Sequence, residues 1–159
     1  MAPQPQTFGT LLRHLLDLVD GGIEASYREL GLDYRPRYTP IVRVLRQRGP
    51  TAIRTLAQEA GITHSAASQT VAHMARAGLV RLGPGQDARE RIVSAAEKLV
   101  AMAPTLDRQW RANNAAAAEI DAELSAPLSA LLAEAIAALE RRPLQGRVAR
   151  LAQALEADG

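Results

Sequence analysis

The sequence predicts a mainly helical fold interrupted by a single β-hairpin. Three observations carry that reading. Alanine and leucine supply about a third of the 159 residues, which favours helix. Apolar residues recur at helical spacing along most of the chain. Only residues 79–93 depart from that pattern. There Leu79–Leu82 is a short apolar stretch, Gly83-Pro84-Gly85-Gln86-Asp87 is turn chemistry, and Arg89–Val93 alternates charged and apolar residues. A composition of 47% apolar and 23% charged residues excludes a mainly disordered chain, because enough apolar surface exists to offset ordering entropy. The length fits one compact domain with helical extensions.

The elements follow in order. Residues 1–6 carry two prolines and no pattern, and read as a loose tail. Leu11, Leu12, Leu15, Leu16, Val19, Ile23, Tyr27 and Leu30 define a first helix, which Gly21-Gly22 is expected to interrupt and bend and Gly31 to cap. Asp33–Tyr38 reads as a loop. Thr39-Pro40 reads as an N-cap with proline in the first turn, opening a short helix that stops at Gly49-Pro50. Thr51 is expected to cap the next helix, with Ile53, Leu56 and Ala57 inward and Gly61 ending it. Thr63 caps another, about 64–77, ended by Gly78. After the hairpin a long helix starts near Ala95, with Pro104 expected to kink it or restart it. Ser125 with Pro127 opens a further helix bearing Leu128, Leu131, Leu132, Ala135, Ile136 and Leu139 on one stripe. Pro143 ends it, and a last amphipathic piece carries Leu144, Val148, Leu151 and Leu155.

Charge is distributed unevenly along this order. Residues 35–91 hold ten arginines against three acids, a net +7, whereas residues 1–34 carry −3, 92–140 carry −4 and 141–159 carry +2. A basic middle between acidic flanks points to a polyanion met by the middle alone; the plainer alternative is a solvated basic face.

Within that middle, Thr51–Val93 reads helix, tight turn, helix, hairpin, the order of a winged helix-turn-helix. Small Ala57 and Ala60 let two helices cross closely, and Gly61 takes the left-handed conformation of the turn. Ile62 is expected to plug the space between the helices. On the second helix Ala67, Val71, Met74 and Ala75 fall inward. Ser65, Gln69, Ala72, His73 and Arg76 fall outward, with Ser68 at the edge. Residues 63–75 contain no acid at all. A helix laid against phosphates must avoid carboxylates, whereas an ordinary solvated helix carries Glu–Lys pairs. Gln69 suits an adenine edge, and Ser65 or Ser68 a base or phosphate. In the hairpin, Arg89 suits a narrow minor groove, with Asp87 holding its rotamer; an ordinary hairpin salt bridge is the alternative for that pair.

This stretch resembles the MarR family of bacterial transcription regulators. The likeness lies in LAQEAGITHSAASQTVAHMARAGLVRLGPGQDARERIV, residues 56–93: the Leu-Ala-x-x-x-Gly turn, the Ser-Ala-Ala-Ser helix, Ala-Gly-Leu-Val and the Asp-x-Arg wing. The resemblance implies a homodimer built by the first and last helices, two recognition helices in successive major grooves of double-stranded DNA, and wings in the flanking minor grooves. Arg89 matches the family's wing arginine and Asp87 its partner. The resemblance also implies a small-molecule effector, unidentified, in the crevice beside the dimerisation helices. Tyr34, Arg37, Tyr38 and Trp110 are the candidates for it, and packing of the lobe junction is the alternative for the aromatic rings. The chain departs from the family pattern at Ser94-Ala95-Ala96-Glu97-Lys98, in the extra helix after Pro143 and in lacking a sensor cysteine.

The expected organisation is an N-terminal dimerisation helix and loop over 1–38, a winged helix-turn-helix DNA-binding domain over 39–94 and a helical dimerisation region over 95–159. Its expected DNA-binding residues are Arg54, Thr63, Ser65, Ser68, Gln69, His73, Arg76, Arg81, Asp87, Arg89 and Arg91, with Arg54, Arg81 and Arg91 on phosphate. Other chemistries fit poorly. The absence of cysteine excludes thiol catalysis and cysteine redox sensing. His14, His64 and His73 lack metal-ligand spacing, so neither metal nor cofactor is expected. Gly83 and Gly85 flank a proline and form no phosphate loop, and no enzyme motif is present. No apolar run is long enough for a membrane span and no signal peptide opens the chain, so a cytoplasmic protein is expected. The expected role is a sequence-specific transcriptional regulator, a repressor; the alternative is a winged-helix protein-interaction module without DNA binding.

Overall fold

The computed structural model describes residues 7–85 and 90–157. They form seven α-helices and a small sheet, arranged in two compact units, residues 1–107 and 108–159.

Helix α1 (Phe8–Glu29) is capped by the Thr7 hydroxyl, which accepts from the Thr10 amide at 3.3 Å. It runs unbroken through Gly21-Gly22, so the expected interruption does not occur. Asp33–Tyr38 is not simply loop. Pro36–Tyr38 makes a 3-10 turn that leads directly into α2 (Thr39–Arg48). Thr39 is therefore inside α2 rather than its cap, and its hydroxyl accepts from Tyr34 at 3.3 Å instead. Pro40 does stand in the first turn.

Thr51 is also not a cap. With Ala52 it forms β1, which pairs with β3 (Arg91–Ala95), itself paired with β2 (Val80–Pro84), and its hydroxyl donates to the Gly49 carbonyl at 2.8 Å. The expected two-stranded wing is thus part of a three-stranded antiparallel sheet in the order β1-β3-β2. Helix α3 (Ile53–Ala60) ends at Gly61, whose φ of 66° is left-handed, and the Ile62 amide closes back on the Ala57 carbonyl at 3.0 Å. Helix α4 (His64–Arg76) follows, then β2 (Val80–Pro84) and β3 (Arg91–Ala95).

The core of the first unit draws on every one of these segments. Tyr27, Ile41, Val42, Leu56, Val71, Met74, Leu79, Val93 and Leu106 are all less than 2% exposed. Leu106 comes from α5 (Glu97–Glu123), so the opening of the long helix belongs with the winged-helix lobe. Arg46 of α2 clasps Asp107 with two bonds of 2.5 and 3.0 Å. Pro104 lies inside α5, which continues through it, so it marks no restart.

The second unit is different. It comprises the rest of α5, α6 (Leu128–Arg141) and α7 (Leu144–Ala157). Ser125 does not cap α6. Asp121 does so, accepting from the Ser129 amide at 3.2 Å and from its hydroxyl, and these bonds hold its carboxyl below the usual range. Arg147 then donates to the Arg142 and Ala138 carbonyls, both at 3.0 Å, closing the corner between α6 and α7. Not one described residue from 108 to 157 is buried. Among the described residues no single helix is long and apolar enough to cross a membrane; α5 and α6 combine the length and apolar character only together, across a 91° bend.

Candidate nucleic-acid interface

Helix α4 is held at both ends. Thr63 accepts from the Ala66 amide at 3.2 Å, satisfying one free N–H of the first turn. At the other end Gly78 turns left-handed at φ 71°, the Leu79 amide returns to the Met74 carbonyl at 2.9 Å, and Lys98 donates to the Ala77 carbonyl at 2.8 Å. Lys98 is the chain's only lysine. It neutralises the negative end of α4 from the opening of α5, a role the sequence did not reveal because the two are far apart along the chain.

The faces of α4 sort as its helical phase requires. Ala67, Thr70, Val71 and Met74 are buried. Ser65, Gln69, His73 and Arg76 are exposed, Ser68 and Ala72 half-exposed. Thr70 joins the buried set unexpectedly, and Ala75 is only half-buried. Ile62 is likewise half-buried, so it closes the edge of the α3–α4 contact rather than its centre. The outward face therefore offers an amide, hydroxyls, an imidazole and a guanidinium, with no carboxylate.

The wing carries the expected arginines on two different faces. Antiparallel pairing sets Arg81 opposite Ser94 and Pro84 opposite Arg91. Strand alternation then places Arg91 on the face of buried Val93, beyond the core, and Arg81 on the other face. Both are exposed. The Gly85 amide reaches the Glu90 carbonyl at 2.9 Å, so the ladder extends one pair towards the tip. Asp87 and Arg89 lie outside the described residues. Arg54 stands exposed on α3.

Not every arginine of the basic middle is available. Arg46 is engaged with Asp107, and Arg48 with Glu59, whose Oε2 accepts from Nε at 2.6 Å. Arg35, Arg37, Arg54, Arg76, Arg81 and Arg91 make no ion pair with a described residue. Of these, Arg35 and Arg37 approach α4. Loss of hydration, and then the charges of Arg76, Arg37 and Arg35, lower the proton affinity of the His73 imidazole below its ordinary value. Arg37, a candidate for the ligand crevice, and Arg35, which the sequence did not single out, are both exposed.

The aromatic candidates are placed otherwise. Tyr34 and Tyr38 are each 3% exposed, in an edge-to-face chain with Tyr27 at centroid distances of 5.0 and 5.6 Å. Burial pushes the Tyr34 phenol well above its usual range, so it stays protonated and donates to Thr39. Trp110 is half-exposed in the second unit. The apolar cavity of the first unit lies elsewhere. It measures about 270 Å³ and is lined by Val42, Leu45, Ala95, Leu99, Val100 and Leu106, with Arg46 at its side. No cluster of His, Cys, Asp or Glu suited to a metal occurs among the described residues.

Helices crossing at the Gly61 turn, a capped outer helix and an antiparallel ribbon together define a winged helix-turn-helix protein. Residues 30–90 match the family model described as the MarR family. No curated protein matches the chain significantly in sequence. Solved structures share the fold. PcaV, a transcriptional regulator from Streptomyces coelicolor crystallised with its natural ligand, is 18% identical with a TM-score of 0.63, over 89% of this chain and 99% of that one. MosR, a transcriptional regulator of M. tuberculosis crystallised with DNA, is 20% identical with a TM-score of 0.63, over 95% and 97%. A probable transcriptional regulator from Pseudomonas aeruginosa is 22% identical with a TM-score of 0.57, over 91% and 96%.

Proposed function

We propose that this chain is a double-stranded-DNA-binding transcriptional regulator, a repressor, that acts as a homodimer in the cytoplasm and is not an enzyme. The observation that carries it is the exposed, acid-free face of α4. Ser65, Ser68, Gln69, His73 and Arg76 face the major groove, and Gln69 reads base edges. Arg54, Arg81 and Arg91 meet phosphates, and Arg89 takes the minor-groove role that the family resemblance implies, with Asp87 as its partner. The matched family and the DNA-bound MosR fold support this reading.

Homodimer formation is supported by the unburied apolar residues at both ends of the chain. Leu11, Leu12, Leu16 and Val19 on α1, and Leu131, Leu132, Ile136 and Leu139 on α6, are all exposed. Helices with such stripes need a partner surface. An effector site is supported by the apolar cavity between α2, β3 and α5, since the buried tyrosines offer little surface to a ligand.

Selection of bound duplexes from a random pool tests the function. A palindromic consensus is expected, with a steep fall in affinity as salt rises. Failure to enrich any sequence, with salt-insensitive retention of a protein partner instead, would favour the interaction-module alternative.

A further inference from the structure

The segment Tyr34-Arg35-Pro36-Arg37-Tyr38 has a design that recognition by α4 and the wing does not explain. Its two tyrosines are buried and stacked edge to face, 5.6 Å between centroids. The two arginines between them are exposed. Pro36 opens the 3-10 turn and limits its backbone freedom. The Arg37 guanidinium carbon sits 5.8 Å from the Tyr38 ring centroid. One of the two cations, Arg37, is thus held against the aromatic base.

The turn packs against α4. Arg76, Arg37 and Arg35 each act electrostatically on His73. No described acid forms an ion pair with any of the four; Asp33, close by in sequence, stands 3.9 Å from Lys98 instead. Elsewhere in the basic middle the fold supplies carboxylates to Arg46 and Arg48. Glu24 and Asp33 line a pocket with Arg35 but form no ion pair with it, so the arginines beside His73 repel one another in the free protein and are relieved when an anion arrives. An extended strand of phosphates beside the groove that α4 enters would be that anion.

We infer that Arg35 and Arg37 form, with His73 and Arg76, a clasp for the phosphate backbone of duplex DNA alongside α4. The inference rests on the DNA-binding reading above and adds a contact outside the recognition helix and the wing. The clasp sets position and affinity; it reads no bases.

The test uses full-length protein and a duplex enriched by the wild type from a random pool. Each phosphate neutralised contributes about 0.9 to the slope of log affinity against log salt. R35A/R37A is expected to lower that slope by about 1.8 for each protomer bound. Raising salt fourfold then weakens the wild type about 12-fold more than the variant, per protomer. Preference among base substitutions in the duplex stays unchanged. R35K/R37K keeps the slope, because it keeps the charge. Arg35→Ala alone, which leaves the Arg37–Tyr38 contact in place, shows half the drop and covers any folding defect in the double variant. An unchanged slope in the alanine variants, with the wild type binding normally, overturns the clasp alone. A wild type that enriches no duplex overturns the DNA-binding reading and the clasp with it.

Discussion

Gln69 and His73 sit one turn apart on the exposed side of α4, and they are expected to act differently. Gln69→Ala removes a bidentate group suited to adenine, so discrimination at one base pair falls by about 1–3 kcal/mol while binding to unrelated duplex changes little. Competition binding with single-base variants measures both. His73 is a matter of protons. Loss of hydration, then Arg76, Arg37 and Arg35, lower its affinity for a proton from the ordinary 6.5, so at neutral pH the free protein holds it neutral. A phosphate facing it reverses the balance, and binding then takes up a proton. Affinity for duplex DNA is therefore expected to rise as pH falls through and below 6.5, and His73→Gln to flatten that rise. The same sign makes the free fold slightly less stable as the imidazole is forced to charge. At this scale the outward set on α4 was legible, because helical phase alone decides which side a residue takes. Thr70, which the sequence reading assigned to neither face, is buried on the core side.

Among the elements, the turn between α3 and α4 sets the angle of the outer helix. Gly61 adopts φ 66° with open space around the position of an added Cβ, so Gly61→Ala costs conformational strain alone, about 1–2 kcal/mol. Thr63→Ala removes the cap of α4 at about 1 kcal/mol. Urea unfolding should show both losses, and the two residues are near enough to couple. The Arg46–Asp107 clasp joins α2 to α5, but both side chains are more than 40% exposed. A double-mutant cycle is expected to give no more than about 1 kcal/mol. Caps proved harder to read than helices. Thr63 was legible because a tight glycine turn precedes it. Thr39, Thr51 and Ser125 look equally suited in sequence, yet one lies within a helix, one pairs in a strand, and the third is displaced by Asp121. A capping residue is defined by where the backbone leaves the helix, and packing decides that.

For the whole molecule, the first unit carries the core, and no described residue of the second is buried. Helices that bury nothing are marginal in water, so residues 108–157 are expected to draw their stability from association. Leu132→Asp in α6 should shift the protein towards monomer in sedimentation experiments and lower its thermal midpoint. It should also weaken binding to a two-half-site duplex far more than to a single half-site, because the two recognition helices would no longer be tied together. Normal dimerisation by this variant would place the interface elsewhere.

Periodicity, turn residues and the run of uncompensated arginines were local properties, and by themselves they determined the helical order, the Gly61 turn, the acid-free face of α4 and the winged-helix class. Each depends on neighbours within a few residues, where chain geometry leaves little choice. Only the tertiary structure decided which arginines remain available. Arg46 and Arg48 are taken by Asp107 and Glu59, whereas Arg35 and Arg37 come to the flank of α4. It also added the third strand through Thr51 and Ala52 and buried the tyrosines expected at a ligand crevice. Those outcomes depend on pairings between residues distant along the chain, and the balance of burial and charge at such meetings exists only once the chain has folded.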